Sequence, residues 1–139
     1  MRRSPAYTVR PDRLPLVSRS RRRTLEPIDL AREIVDLIAE KKGENILLLD
    51  IRELTSLTDY FIICSGTSER QLDALVSAVR QMTKQSLGIL PLNVEGDPPS
   101  GWILIDYGPV VVHLFSPELR AYYDLEGLWR EGRVVVRIQ

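Results

Sequence analysis

The sequence is short of the residues that most often carry chemistry: among 139 residues there is one cysteine, Cys64, and one histidine, His113. A lone cysteine cannot close an internal disulfide, and there is no run of about 18 apolar residues to span a membrane. No internal repeat is visible. Domains most often hold about 100–150 residues, so one domain with one modest core is expected and a second catalytic domain is excluded. The body of the chain reads as a soluble intracellular domain.

Net charge is lacking too, but only as an average. Residues 1–23 hold eight arginines against one acid, Asp12, which leaves 11 basic and 18 acidic residues from Thr24 to Gln139 and a net charge of −7 there. An acidic body of this kind should not coat bare nucleic acid, whereas a basic protein would be drawn to it. The segment "MRRSPAYTVRPDRLPLVSRSRRR" has no apolar core of a secretory signal. Its richness in Arg and Ser fits either a disordered extension or an organellar transit peptide, and Pro5, Pro11 and Pro15 interrupt any long amphipathic helix, which favours the former.

What is present is a regular alternation of apolar patterns. "PIDLAREIVDLIAEKK" (27–42) sets Ile28, Ala31, Ile34, Val35 and Ile38 at helical intervals, with Pro27 suited to the first turn and Gly43 to the stop. "NILLLDIREL" (45–54) and "DYFIICSG" (59–66) predict two antiparallel strands. "SERQLDALVSAVRQMTKQSL" (68–87) predicts a second helix, capped by Thr67 or Ser68 and ended by Gly88. A short strand is expected near Leu90–Val94. A helix should begin at Ser116-Pro117 and be ended or interrupted by Gly127, and the last residues are expected to be extended. This order predicts an α/β fold, a mixed β-sheet sandwiched with helices.

The most informative stretch is "WILIDYGPVVVHLF" (102–115). Gly108-Pro109 suits a two-residue type II′ turn, which sets the register from Tyr107 opposite Val110 to Trp102 opposite Phe115. Side chains alternate across a sheet, so Ile103, Ile105, Tyr107, Val110, Val112 and Leu114 form a core face. The opposite face gathers Trp102, Leu104, Asp106, Val111, His113 and Phe115. Either a helix of this chain covers that patch or another protein does.

Catalytic readings find little support. Asp106 and His113 sit diagonally on one face, yet no serine or cysteine nucleophile has a recognisable context, and a lone strand histidine is usually structural. "SGTSER" (65–70) opens a helix but has one glycine, too few for a P-loop or dinucleotide fingerprint, and reads as a hydroxyl-capped turn. Cys64 reads as core, with no partner for a metal site. Asp50, Glu53 and Asp59 are not the close acidic pair of a two-metal site and read as solvated strand-end carboxylates.

Two long motifs, "DYFIICSGTSERQLDAL" (59–75) and "GWILIDYGPVVVHLFSPELRAYYDLEGLW" (101–129), closely resemble the ribosomal silencing factor family, also called the Iojap family. The likeness runs from about Pro27 to Trp129, and the domain it implies spans residues 24–139, with residues 1–23 outside it. It implies a nucleotidyltransferase-like fold without the catalytic carboxylates and with no cofactor. It also implies binding to the large ribosomal subunit at its fourteenth protein, so that the small subunit cannot join when nutrients are scarce, by steric blocking rather than catalysis. On this chain the contact surface it implies centres on Trp102, Leu104, Asp106, Tyr107, Val111 and His113, with Tyr123 near its edge. The resemblance further implies a homodimer, and a cytoplasmic protein, or a mitochondrial or plastid one if residues 1–23 are a transit peptide. Relatives commonly carry an acid where this chain has Pro109, which removes one expected contact to a basic ribosomal side chain. Arginines of the extension are expected to reach ribosomal RNA phosphates. Two other readings stand beside this one: an enzyme transferring or hydrolysing nucleotides, and an adaptor whose aromatic face serves only self-association.

Overall fold

Apolar residues recurring every three or four positions give a helix one face that must be covered, and here two such helices lie on one side of a single sheet. The structure is a computed structural model that describes residues 7–8 and 24–139. The expected extension over residues 1–23 thus lies outside the described residues except for Tyr7 and Thr8. These two form strand β1 (Tyr7–Thr8), which pairs antiparallel with β2 (Thr24–Leu25).

Helix α1 spans Pro27–Glu40 and buries Leu30, Ala31, Ile34, Val35 and Ile38. Strands β3 (Glu44–Asp50) and β4 (Tyr60–Ser65) follow and pair antiparallel. β3 ends four residues earlier than its apolar run suggests, because the Asp50 carboxylate accepts the Arg52 backbone N–H at 3.1 Å and turns the chain. Helix α2 spans Glu69–Leu87: the Ser68 hydroxyl accepts from Gln71 N at 3.0 Å, and Gly88 ends the helix at a left-handed φ of 67°. The expected strand near Leu90 starts later, as β5 (Asn93–Glu95), since Pro91 has no amide to give a ladder.

Strands β6 (Trp102–Asp106) and β7 (Val110–Phe115) form the expected hairpin. Trp102 faces Phe115, Leu104 faces His113 and Asp106 faces Val111. Tyr107 N donates to Val110 O at 2.9 Å across the turn, and Gly108 has a φ of 93° that a side chain would resist. The last helix is two short ones, α3 (Pro117–Tyr123) and α4 (Leu125–Leu128). Gly127 does not break it as expected; Asp124 does, at a φ of 46°, because its carboxylate accepts from Gly127 N and caps α4. Strand β8 (Arg133–Ile138) then joins the edge beside β3.

The six-stranded sheet has the order β5-β6-β7-β4-β3-β8, and its one parallel neighbour pair is β4 with β7. Residue parity divides its two faces. Leu48, Ile62, Ile105 and Val112 face α1 and α2. Leu47, Leu49, Ile63 and Phe115 face the other way, where Leu119, Leu125 and Trp129 from α3, α4 and the turn after them pack on them. The protein is therefore an α/β fold with a mixed sheet between helices, and the second cover is much the smaller.

Candidate functional site

The smaller cover leaves the second face of the β6–β7 hairpin unevenly shielded. At one end, Trp102 stacks on the fully buried Phe115 with ring centroids 4.8 Å apart and meets Tyr123 at 4.7 Å. Helix α3 holds Tyr123 there, while Leu119 adds to the same cluster. At the other end Leu104 and Asp106 stay half-buried, and among the described residues no helix lines the space beside them and the buried Val111. An open hollow of about 380 Å³ lies there, walled by Leu57, Phe61, Leu92, Leu104 and Val111 and edged by Glu95 and Asp106.

The expected contact residues divide accordingly. Trp102, Leu104 and Asp106 are half-buried, Tyr123 is exposed, and Val111 and His113 are buried. Asp106 is tied to the turn, since its Oδ1 accepts from Gly108 N at 2.7 Å. Tyr107 is a correction: it is 1% exposed, points to the opposite face, and its hydroxyl shares a 2.8 Å hydrogen bond with Thr83 of α2. Alternation along β6 puts it there, one position out of phase with Asp106. Pro109 is buried, with its carbonyl accepting from Asp59 N and Tyr60 N at 3.0 Å, so it ties the hairpin turn to β4.

His113 is the most constrained member. Its Nδ1 accepts from Trp102 Nε1–H at 3.2 Å, and Phe61 packs edge-on to it at 4.7 Å. Burial pushes its pKa down to about 4, so the ring is neutral at pH 7. A neutral ring that accepts at Nδ1 carries its proton on Nε2. The side chains that meet it are aromatic rather than a Ser or Cys nucleophile, and Asp106 is engaged by Gly108 instead.

Sequence reasoning missed Leu57, Phe61, Leu92 and Glu95. Leu57 and Leu92 are 85% and 75% exposed; Leu57 stands between polar residues in Ser56-Leu57-Thr58, a signal the sequence offers, whereas Leu92 follows the apolar run Ile89-Leu90-Pro91 and nothing local sets it apart. The other candidates resolve differently. In "SGTSER" the Thr67 N–H and hydroxyl both donate to Gln71 Oε1, at 2.7 and 3.0 Å, so these donors are spent within the helix start. Asp59 is 1% exposed, so it is not the solvated strand-end carboxylate expected. Asp50 is nearly buried too: burial raises its pKa, but hydrogen bonds from Arg52 and Arg133 and the Arg52 charge outweigh this and hold it below the usual value. Cys64 is buried, and desolvation pushes its thiol up to about 12. Among the described residues no three His, Cys, Asp or Glu side chains gather as a metal group, and no helix is long and apolar enough to cross a membrane.

A concave apolar face edged by acids, on a hairpin rather than in a cleft, is the form of a protein-contact surface. The family model described as "Ribosomal silencing factor during starvation" matches residues 24–139. The chain belongs to the ribosomal silencing factor family. A relative from Halalkalibacterium halodurans named "Ribosomal silencing factor RsfS" is 36% identical over 107 residues, 77% of this chain and 91% of that protein. A crystal structure of a Chromobacterium violaceum protein superimposes with a TM-score of 0.72 at 36% identity, covering 76% of this chain and 88% of that one. A mouse relative, named "Mitochondrial assembly of ribosomal large subunit protein 1", is 35% identical over 98 residues, 69% of this chain and 43% of its own length. The family thus has both bacterial and mitochondrial members.

Proposed function

We propose that this protein binds the large ribosomal subunit at its fourteenth protein and blocks joining of the small subunit by occupying space, without chemical turnover, so that translation falls under nutrient limitation. Family membership supports the ribosomal target. The observation that carries the reading is the hollow between Leu57, Leu92 and Leu104, which is apolar, open and edged by Glu95 and Asp106. Apolar walls supply short-range affinity, and carboxylates at the rim orient a basic ribosomal protein. Trp102, Val111, His113 and Tyr123 extend or support the same surface.

In this reading residues 24–139 form the silencing domain and residues 1–23 a separate extension whose eight arginines add salt-sensitive contact to ribosomal RNA. The free protein is a homodimer; exposed Leu54 and Leu128 beside Trp129 offer a further apolar patch for self-association. Its compartment is the cytoplasm, or the mitochondrion or plastid if the extension acts as a transit peptide.

Sedimentation of purified large and small subunits with the full chain tests the proposal. Co-migration with the large subunit and a loss of joined ribosomes are expected. A chain that stays at the top of the gradient, leaving joining intact, overturns it.

A further inference from the structure

Two buried polar side-chain atoms around the hollow have no hydrogen-bond partner among the described residues: the Nε2 of His113 and the hydroxyl of Thr58. His113 is 3% exposed and Thr58 5%. With Nδ1 accepting from Trp102, the unpartnered Nε2 is a donor. An unpaired donor inside an apolar wall is costly, and a native structure seldom keeps one without use.

We propose that His113 Nε2–H is the specificity donor of the hollow, and that its acceptor is a backbone carbonyl of an extended, basic segment of the protein partner. This rests on the ribosomal reading above and names what the surface recognises. Rim charge selects the occupant. Among the described residues the walls hold two acids, Glu95 and Asp106, and no cationic side chain, which repels a nucleic-acid backbone or an acidic peptide and attracts lysine or arginine. An anionic acceptor is disfavoured for the same reason, and a backbone carbonyl is the neutral acceptor that every residue of a docked segment carries. An apolar side chain of that segment fills the space between Leu57, Leu92 and Leu104. Since Nε2 is occluded in the free chain, docking displaces part of its cover, and the half-buried ring of Phe61, edge-on to the imidazole, is the side chain available to shift while Trp102 keeps its hydrogen bond to Nδ1.

Two substitutions separate the donor from the group that merely orients Trp102. Glutamine places an amide N–H near the Nε2 position but gives up the Nδ1 acceptor, whereas asparagine keeps an acceptor near Nδ1 and has nothing at Nε2. Binding of the full-length chain to purified large subunits is measured for wild type, His113→Gln and His113→Asn. His113→Gln should stay within about threefold of wild type, and His113→Asn should bind roughly tenfold more weakly, the loss of one hydrogen bond. Equal affinities, or the reverse order, overturn the donor role and leave the ribosomal reading standing. Failure of the wild type to bind overturns both. NMR of the ¹⁵N-labelled wild type gives a readout that needs no variant: the Nε2–H signal should move downfield on adding the isolated fourteenth protein of the large subunit, and an unmoved signal in the bound state refutes the proposal.

Discussion

Lowering the pH from 7 to 4 should weaken the fold through His113 alone by about 3 kcal/mol. In the folded chain burial holds the ring's pKa at about 4, against an ordinary value of 6.5. Between these values the unfolded chain takes up a proton that the folded chain refuses, so stability falls as pH falls; above about 6.5 the contribution is complete. At about 1.4 kcal/mol per pH unit, the gap between 6.5 and about 4 amounts to about 3–4 kcal/mol, of which about 3 kcal/mol is lost by pH 4, where the folded ring is half protonated; this is a large share of the roughly 5–15 kcal/mol typical of a domain. Carboxylates such as Asp50, whose pKa is lowered, also lose their contribution as pH falls, so the wild-type curve alone would not isolate the histidine. The assay is urea unfolding of wild type and His113→Gln at several pH values between 4 and 7, read as the difference between the two chains. That difference should shift against the wild type by about 3 kcal/mol as the pH drops. Because His113 is the only histidine, its ring signal can be titrated directly by NMR. A stability difference flat across this range, or a ring that titrates near 6.5, would refute the burial argument.

Tyr107→Phe should cost about 1 kcal/mol in chemical denaturation by removing the hydroxyl that pairs with Thr83, and should leave large-subunit binding unchanged, because the ring faces the core. Leu57→Asp, at an 85% exposed position on the hollow, should leave the melting temperature nearly unchanged while weakening large-subunit binding by about tenfold or more in a sedimentation assay. Asp124→Ala should destabilise by about 2 kcal/mol, about half from the lost cap on Gly127 and half from a left-handed backbone that alanine resists; Asp124→Asn, which can keep both, should be near neutral in thermal melts. Phe115→Ala should cost about 3–5 kcal/mol in denaturation, since the fully buried ring stacks under Trp102 and leaves a cavity in the smaller core.

Much of the architecture is legible in the sequence because it depends on chemistry within a few residues. Pro27 and Gly108-Pro109, the Ser68 cap and the Gly88 stop each act on their own stretch of backbone, so the two main helices and the hairpin register follow from them. The break in the third helix is harder to read because the deciding residue is an aspartate: Gly127 has the greater conformational freedom, but Asp124 supplies the carboxylate that starts a new helix. The proposed contact surface is legible only by half. Alternation separates Trp102, Leu104 and Asp106 from Ile103, Ile105 and Tyr107, and places Tyr107 in the core, where the family resemblance alone makes it a contact.

By itself, then, the sequence determined which faces of which elements are apolar, because side-chain direction repeats with a fixed period along a helix or strand. Only the tertiary structure decided which apolar face remains open. Leu57 from the β3–β4 connection and Leu92 from the segment before β5 line one open hollow with Leu104 of the hairpin, while α3, α4 and the Trp129 that follows them reach only as far as Trp102, Phe115 and Phe61. The physical reason is that burial is a property of elements brought together from distant parts of the chain, and no local pattern records where a short cover stops.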